Sequence, residues 1–239
     1  MSQTGPGAPS IVGLRSVRLF AGLPDAVLHE VAARCQFRRY SAGSMVLMRS
    51  DDDHAVYLIL SGRVRVVALA PTGREVSFRD LGAGEMFGEL AALDGGLRTA
   101  NVLTLDEALL ARLPGADFIE LLRLHWPLNE RVLHSLVHSV RQLTERVYEI
   151  STLNVQQRLA AELLRLALPG AGAGANRVRL TGVPTHAELG ARISSYREQV
   201  TREMASLVRL GLLSKDGDGL VVEDISRLSD LVVTPRSGI

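Results

Sequence analysis

The sequence of 239 residues has a single cysteine, Cys35. One thiol excludes an internal disulfide and a four-cysteine iron–sulfur cluster. No run of about 18 apolar residues occurs, so no transmembrane helix and no membrane partner are expected. The opening MSQTGPGAPS lacks the succession of basic, apolar and small residues that marks a secretory signal, and a soluble, cytoplasmic protein is expected. Lysine is nearly absent, Lys215 being the only one among 27 basic residues. Arginine suits bidentate contact with guanine and phosphate, but a genome's base composition produces the same bias. Charge of one sign is lacking too. The formal net charge is +1; residues 1–150 carry 16 arginines against 17 acidic residues, and the rest carry 11 basic against 9 acidic. Net charge therefore points to no particular partner.

What is present is enough apolar material, 46% of residues, for a sizeable core, in a chain long enough for two domains. The expected divisions are a flexible N-terminus at 1–10, a β-rich domain at 11–126, a long helix at 127–153 and a C-terminal domain at 154–239. A short helix is expected from Leu23 to Arg34. From Gln36 to Leu113 the pattern is strand-like. Ala55–Leu60 and Val64–Val67 are apolar runs, and Gly43, Gly62, Gly73, Gly82, Gly84, Gly88 and Gly95-Gly96 punctuate the stretch. Short strands bounded by glycine predict a small barrel or sandwich. The turns Ser61-Gly62-Arg63 and Pro71-Thr72-Gly73 make Val64–Val67 one arm of consecutive hairpins.

From Asn129 to Ala167 the period is helical. Leu133, Leu136, Val140, Leu143, Val147 and Ile150 recur at alternating steps of three and four, a narrow coiled-coil seam. Two readings follow: a helix packed on its own domain, or a parallel homodimer. His134, His138, Arg141, Glu145 and Arg146 leave only a thin apolar face, which suits a second copy of the same helix. His134 and His138 share a face at the spacing of zinc ligands, but no third ligand stands beside them. They and His125 are expected to be solvated or interfacial, with no metal bound.

Pro169 stops the helical pattern, and the glycine–alanine stretch 169–176 reads as a loop. Arg177–Leu180 alternates like a strand. Thr185 with Glu188, and Ser195 with Glu198, each have the spacing of a capping box that opens a helix. The segment Leu212–Val222 resembles a hairpin with an Asp-Gly turn. Helix, turn, helix and hairpin in this order describe a winged helix-turn-helix.

The most informative window is Phe87-Gly88-Glu89-Leu90 followed by Arg98-Thr99-Ala100. A cyclic phosphate needs a cation and hydrogen-bond donors, and a ribose hydroxyl needs a carboxylate. Both lie here within one short span, which reads as a site for a small nucleotide. The alternative is that Glu89 and Arg98 simply pair with each other.

Taken in order, this cassette, the seam helix and Glu188-Leu189-Gly190 with Arg197-Glu198-Gln199-Val200-Thr201-Arg202 closely resemble the Crp–Fnr family of bacterial transcription regulators. The likeness covers nearly the whole chain. It implies an α+β architecture: a cyclic-nucleotide-binding β-barrel of jelly-roll type, a long dimerisation helix and a winged helix-turn-helix. It implies that Glu89 accepts from the ribose 2′-hydroxyl and that Arg98 pairs with the cyclic phosphate. Thr99 would donate to the phosphate, with backbone N–H groups around Gly88 and Leu90 adding donors. In nucleotide-responsive relatives two adjacent hydroxyl residues of the long helix reach the purine; here those positions are Leu143 and Thr144. Leu143 offers no hydrogen bond, so the purine edge is read through Thr144 in some other way, and cyclic AMP and cyclic GMP both stay open as the effector. On the DNA side the resemblance implies base reading by Arg197, Glu198 and Arg202, with Gln199 nearby and Thr185 at the backbone. The implied target is a palindromic duplex with TGTGA-like half-sites, and RNA polymerase is a further implied partner. Two features depart from the family's turn: Ser194 stands at a position better suited to glycine, and Arg192 occupies a usually apolar one. No catalytic constellation is present, so no enzyme is expected. A regulator that binds DNA without a nucleotide is the rival reading. A nucleotide-binding module of an enzyme or channel would lack the second domain.

Overall fold

The computed structural model describes residues 11–69, 75–172, 174–217 and 219–233. The expected flexible N-terminus, the Pro71-Thr72-Gly73 turn, Ala173 of the glycine–alanine loop and Asp218 of the hairpin turn lie outside the described residues. The chain divides into two compact units, 1–139 and 140–239.

The first unit opens with helices α1 (Ile11–Arg15) and α2 (Asp25–Arg34). Among the described residues eight strands follow: β1 (Gln36–Tyr40), β2 (Met45–Leu47), β3 (Val56–Ser61), β4 (Arg63–Leu69), β5 (Glu75–Gly82), β6 (Met86–Phe87), β7 (Asn101–Thr104) and β8 (Ala108–Leu113). A short helix α3 (Glu89–Asp94) stands between β6 and β7, and α4 (Gly115–Leu124) follows β8. The strands form two antiparallel four-stranded sheets, ordered β1-β8-β3-β6 and β2-β7-β4-β5. This is the jelly-roll order, an open pair of sheets rather than a closed barrel.

The continuous apolar run of β3 explains its place. Val56, Leu58 and Leu60 face a core shared with Leu14, Leu28, Phe118 and Leu121, while Tyr57 and Ile59 face a second core with Val64, Phe87 and Leu110. Successive strand side chains point to opposite faces, so a strand covered on both sides must be apolar throughout. Strand β8 repeats the arrangement, Ala111 and Leu113 on one face and Ala108 and Leu110 on the other.

Helix α5 (Trp126–Thr152) carries the seam. Leu128, Val132 and Leu136 belong to the first unit's core, whereas Leu133, Val140, Leu143, Val147 and Ile150 are exposed. The helical pattern read as running to Ala167 is interrupted. Asn154 caps a separate helix α6 (Val155–Ala167), its side chain accepting from the Gln157 N–H while Gln157 accepts from the Asn154 N–H.

The second unit continues with β9 (Val178–Leu180), α7 (His186–Arg192), α8 (Arg197–Arg209), β10 (Leu213–Asp216), β11 (Gly219–Val222) and α9 (Ile225–Val233). Its three strands pair in the order β10-β11-β9, giving the hairpin wing with an added edge strand. Leu159, Leu163, Leu189, Val200, Leu207 and Leu228 are fully buried in its core.

Candidate nucleotide cassette and DNA-reading helix

The nucleotide window is built around a left-handed backbone. Gly88, at φ +87°, joins β6 to α3, and a Cβ there would lie 2.7 Å from Arg98 Nη1 and 2.9 Å from the Ala55 carbonyl oxygen. Only glycine fits both the dihedral and the space. Arg98 lies behind it, its side chain 3% exposed. Its main chain is fixed by the loop after β2: Arg98 N–H donates to Asp51 O at 3.0 Å and Ser50 N–H donates to Arg98 O at 2.9 Å. Its guanidinium donates to Gly88 O at 2.8 Å, Ala55 O at 2.6 Å and Asp53 Oδ2 at 2.9 Å. The Nε–H is buried with no partner among the described residues.

Glu89 and Arg98 do not pair with each other. Glu89, buried at the start of α3, faces Arg79 of β5, whose Nη2 is 3.6 Å from Glu89 Oε1. Arg98 pairs with Asp53, which also accepts from Arg112 at 2.9 Å. Burial works against ionisation of Asp53. The Arg98 hydrogen bond, the Ala55 N–H and the Arg112 charge outweigh it and hold the carboxyl below the usual carboxylate range. Beneath this cluster Tyr57 stacks on Phe87 with ring centroids 5.1 Å apart. Thr99 and Leu90 are exposed. Asp53, Arg112 and Arg79 are the members that sequence reasoning missed. No local pattern marks them, because each meets the cassette across strands or loops.

On α5, Thr144 is exposed and its hydroxyl donates to Val140 O at 2.9 Å within its own helix. Leu143 is exposed beside it. His134 and His138 are exposed as well. Among the described residues no group of three or more His, Cys, Asp or Glu is placed to hold a metal.

In the second unit Thr185 caps α7 as the spacing predicts: its hydroxyl accepts from the Glu188 N–H, and the Glu188 carboxylate accepts from the Thr185 N–H at 2.8 Å. The second expected box is a correction. Helix α8 begins after Tyr196, with no side-chain cap; Ser195 is buried, and its hydroxyl donates to Gln199 Oε1 at 3.1 Å. The cause is Ser194, which adopts φ +55°. That left-handed residue turns the chain one position later than the box requires. Gly190 permits the turn to close, since a Cβ there would stand 3.1 Å from Ser195 O. Arg192, unusual at its position, reaches back from α7 to Glu162 Oε1 of α6 at 3.1 Å, and Glu162 also takes Arg165 at 3.0 Å.

Helix α8 presents Arg197, Glu198, Thr201 and Arg202 to solvent in its first two turns. Arg197, Glu198 and Arg202 make no side-chain hydrogen bond or ion pair among the described residues. Thr201 is engaged locally, donating to Arg197 O at 2.9 Å and standing 2.8 Å from His186 Nδ1. A helix with unpaired donors and an acceptor on its exposed N-terminal face has the chemistry to meet base edges.

Comparison with known proteins agrees with both halves. Residues 37–125 match the cyclic nucleotide-binding domain family, and residues 157–231 match the Crp-like helix-turn-helix domain family. The cyclic AMP receptor protein of Thermus thermophilus is 30% identical over 216 residues, 89% of this chain and 95% of that protein. The CRP-like cAMP-activated global transcriptional regulator of Mycobacterium tuberculosis is 24% identical over 88% of this chain and 94% of its own length. The solved structure of the c-di-GMP responsive global regulator CLP of Xanthomonas campestris shares the fold, with a TM-score of 0.70 at 23% identity over 84% of this chain and 99% of that one. A jelly roll with a glycine-backed arginine, joined through a long helix to a Crp-like helix-turn-helix, makes this chain a member of the Crp–Fnr family of DNA-binding transcription regulators, with a cyclic nucleotide-binding domain.

Proposed function

We propose that the protein is a homodimeric regulator, switched by cyclic AMP or cyclic GMP, that binds a palindromic promoter site. The ligand supplies a cyclic phosphate, a ribose hydroxyl and a purine. Arg98 and Thr99 hold the phosphate with the backbone N–H groups of Gly88 and Leu90, Glu89 accepts from the ribose, and Thr144 meets the purine. The observation that carries this reading is the buried Arg98 Nε–H without a partner. A buried donor left unpaired costs free energy, and an anionic oxygen satisfies it. The functional division is a nucleotide-binding domain at 11–126, a dimerisation helix at 127–153 and a DNA-binding domain at 154–239.

Dimerisation uses the exposed seam of Leu133, Val140, Leu143, Val147 and Ile150. An apolar stripe this narrow matches another copy of itself. Nucleotide binding favours the state in which two α8 helices meet successive major grooves about 34 Å apart. Arg197 then reads guanine, Glu198 accepts from cytosine, Arg202 and Gln199 complete each TGTGA-like half-site, and Thr185 touches phosphate. No helix among the described residues is long and apolar enough to cross a membrane. The regulator acts in the cytoplasm and touches RNA polymerase, as its family membership suggests.

A second reading has its own support: Asp53 already neutralises Arg98, and Arg79 already faces Glu89. A cassette satisfied internally suits a regulator that binds DNA with no nucleotide. Calorimetric titration with each nucleotide, followed by binding to a palindromic duplex with and without ligand, separates the two. Heat of binding and a ligand-dependent gain in DNA affinity support the switch. No heat and unchanged DNA affinity remove it in favour of the second reading.

A further inference from the structure

We propose that Arg79 reads the purine and makes the cassette selective for guanine, so that cyclic GMP binds more tightly than cyclic AMP. This rests on the reading of Glu89 and Arg98 as ribose and phosphate contacts. Arg79 lies on β5 opposite Val66 of β4, and its side chain is one-third exposed. Its Nη2 stands 3.6 Å from Glu89 Oε1, and its Nη1 donates to Ser139 Oγ at 3.3 Å. Any ribose taken by Glu89 therefore has this guanidinium beside it. Two of the three nitrogens are oriented by Glu89 and Ser139, and the other N–H groups have no partner among the described residues.

The side chain's presence there is not explained by the fold. An ion pair of 3.6 Å on a partly exposed arginine contributes little to stability. Its recognition chemistry is specific, however. A guanidinium only donates. Guanine presents two neighbouring acceptors, O6 and N7, whereas adenine presents N7 beside an amino donor. Arg79 can thus make a bidentate contact with guanine, but against adenine it makes one bond and sets donor against donor. On the long helix Leu143 has no polar side-chain atom, and the Thr144 hydroxyl, its proton given to Val140 O, is left able only to accept. Arginine on β5 supplies the donors that these two residues do not.

The test is calorimetry of the full-length protein with cyclic AMP, cyclic GMP and cyclic IMP, the last keeping O6 and N7 without the 2-amino group. In the wild type, cyclic GMP and cyclic IMP are expected to bind about 10-fold or more tighter than cyclic AMP, within the range of a bidentate base contact. Arg79→Ala should weaken both by about 10-fold while cyclic AMP changes by less than about threefold. Arg79→Lys, a point donor without the planar fork, should fall between. The ratio of affinities is the readout, because loosening Glu89 would shift all three ligands together. Cyclic AMP binding as tightly as cyclic GMP, a parallel loss of all three in Arg79→Ala, or cyclic IMP behaving like cyclic AMP would each overturn the assignment to Arg79 while leaving the cassette intact. Failure of the wild type to bind any of the three overturns the cassette reading itself, and this proposal with it.

Discussion

Adding one methyl group at position 88 perturbs the nucleotide cassette at its tightest point. In Gly88→Ala the backbone must hold φ +87° with an L side chain, which costs about 1–2 kcal/mol. The new Cβ would meet Arg98 Nη1 at 2.7 Å and Ala55 O at 2.9 Å, both too close. Ala55 adjoins the central strand β3 and cannot retreat, so the guanidinium must move. Arg98 is buried, and moving it breaks its bond to Gly88 O, a charged hydrogen bond worth about 1.5–3 kcal/mol. The two costs together predict a loss of about 2.5–5 kcal/mol in stability of the first unit. Gly95→Ala is the control: its φ is +70°, but nothing lies within 4 Å of the added Cβ. It should lose only the backbone cost, about 1–2 kcal/mol. Urea unfolding of both variants measures the difference, and nucleotide titration should show affinity lost in Gly88→Ala and kept in Gly95→Ala. Equal destabilisation by the two substitutions, with binding intact in both, would refute the close approach of Arg98 to Gly88.

Three further outcomes follow from the same geometry. Asp53 has a lowered pKa in the fold, so its contribution to stability is complete above the unfolded value of about 4 and is lost as pH falls through the folded value. Urea midpoints of wild type and Asp53→Asn should therefore converge on acidification, and a gap independent of pH would remove Asp53 from the ionised network. Ser194→Gly relieves a positive φ of 55° and should stabilise the second unit by about 0.5–1 kcal/mol after the entropic cost of glycine; an unchanged or lowered unfolding midpoint would contradict the left-handed turn. Burial, with the charge of Asp117 adding to it, pushes the Cys35 thiol up to about 12. At pH 8 its thiolate fraction is roughly a thousandfold below that of a free cysteine, so disulfide exchange with Ellman's reagent should be slow until urea unfolds the chain. Equal rates in the folded and unfolded protein would overturn that assignment.

The parts of the fold that were legible in the sequence are those set by neighbours along the chain. Thr185 and Glu188 are three apart, so their capping box forms within a single turn and is visible as a spacing. The apolar runs that became β3 and β4 are visible for the same reason. The second box failed because its logic assumes that a helix starts at the first residue able to cap it. Ser194 takes a left-handed conformation, Ser195 is carried into the interior, and α8 starts after Tyr196 without a side-chain cap. Helix α9 carries a local signal that apolar periodicity alone does not reveal. Asp224 accepts from the Arg227 N–H three residues on, and Leu228 is the buried residue of the helix that follows. Helix α4, a short element between the strands and the seam, gives Phe118, Leu121 and Leu122 to the first core.

The cassette divides along the same line, and the division bears on what the site recognises. Gly88, Glu89, Arg98 and Thr99 form one motif within a dozen positions, so a scan finds them. Asp53 reaches Arg98 across 45 positions, and Arg79 meets Glu89 only because β5 returns beside the start of α3. The motif residues alone describe a generic cradle for a sugar and a phosphate. The residues brought by the sheets set its net charge: Asp53 subtracts from Arg98, Arg112 restores what Asp53 removes, and Arg79 balances Glu89. A phosphate bound as proposed would meet a site whose surplus is one arginine, held back from solvent and, among the described residues, short of one acceptor at Nε. On the proposed reading, discrimination between purines falls to the one-third-exposed Arg79 and not to the motif, because every member of the motif is assigned to the part of the nucleotide that cyclic AMP and cyclic GMP share.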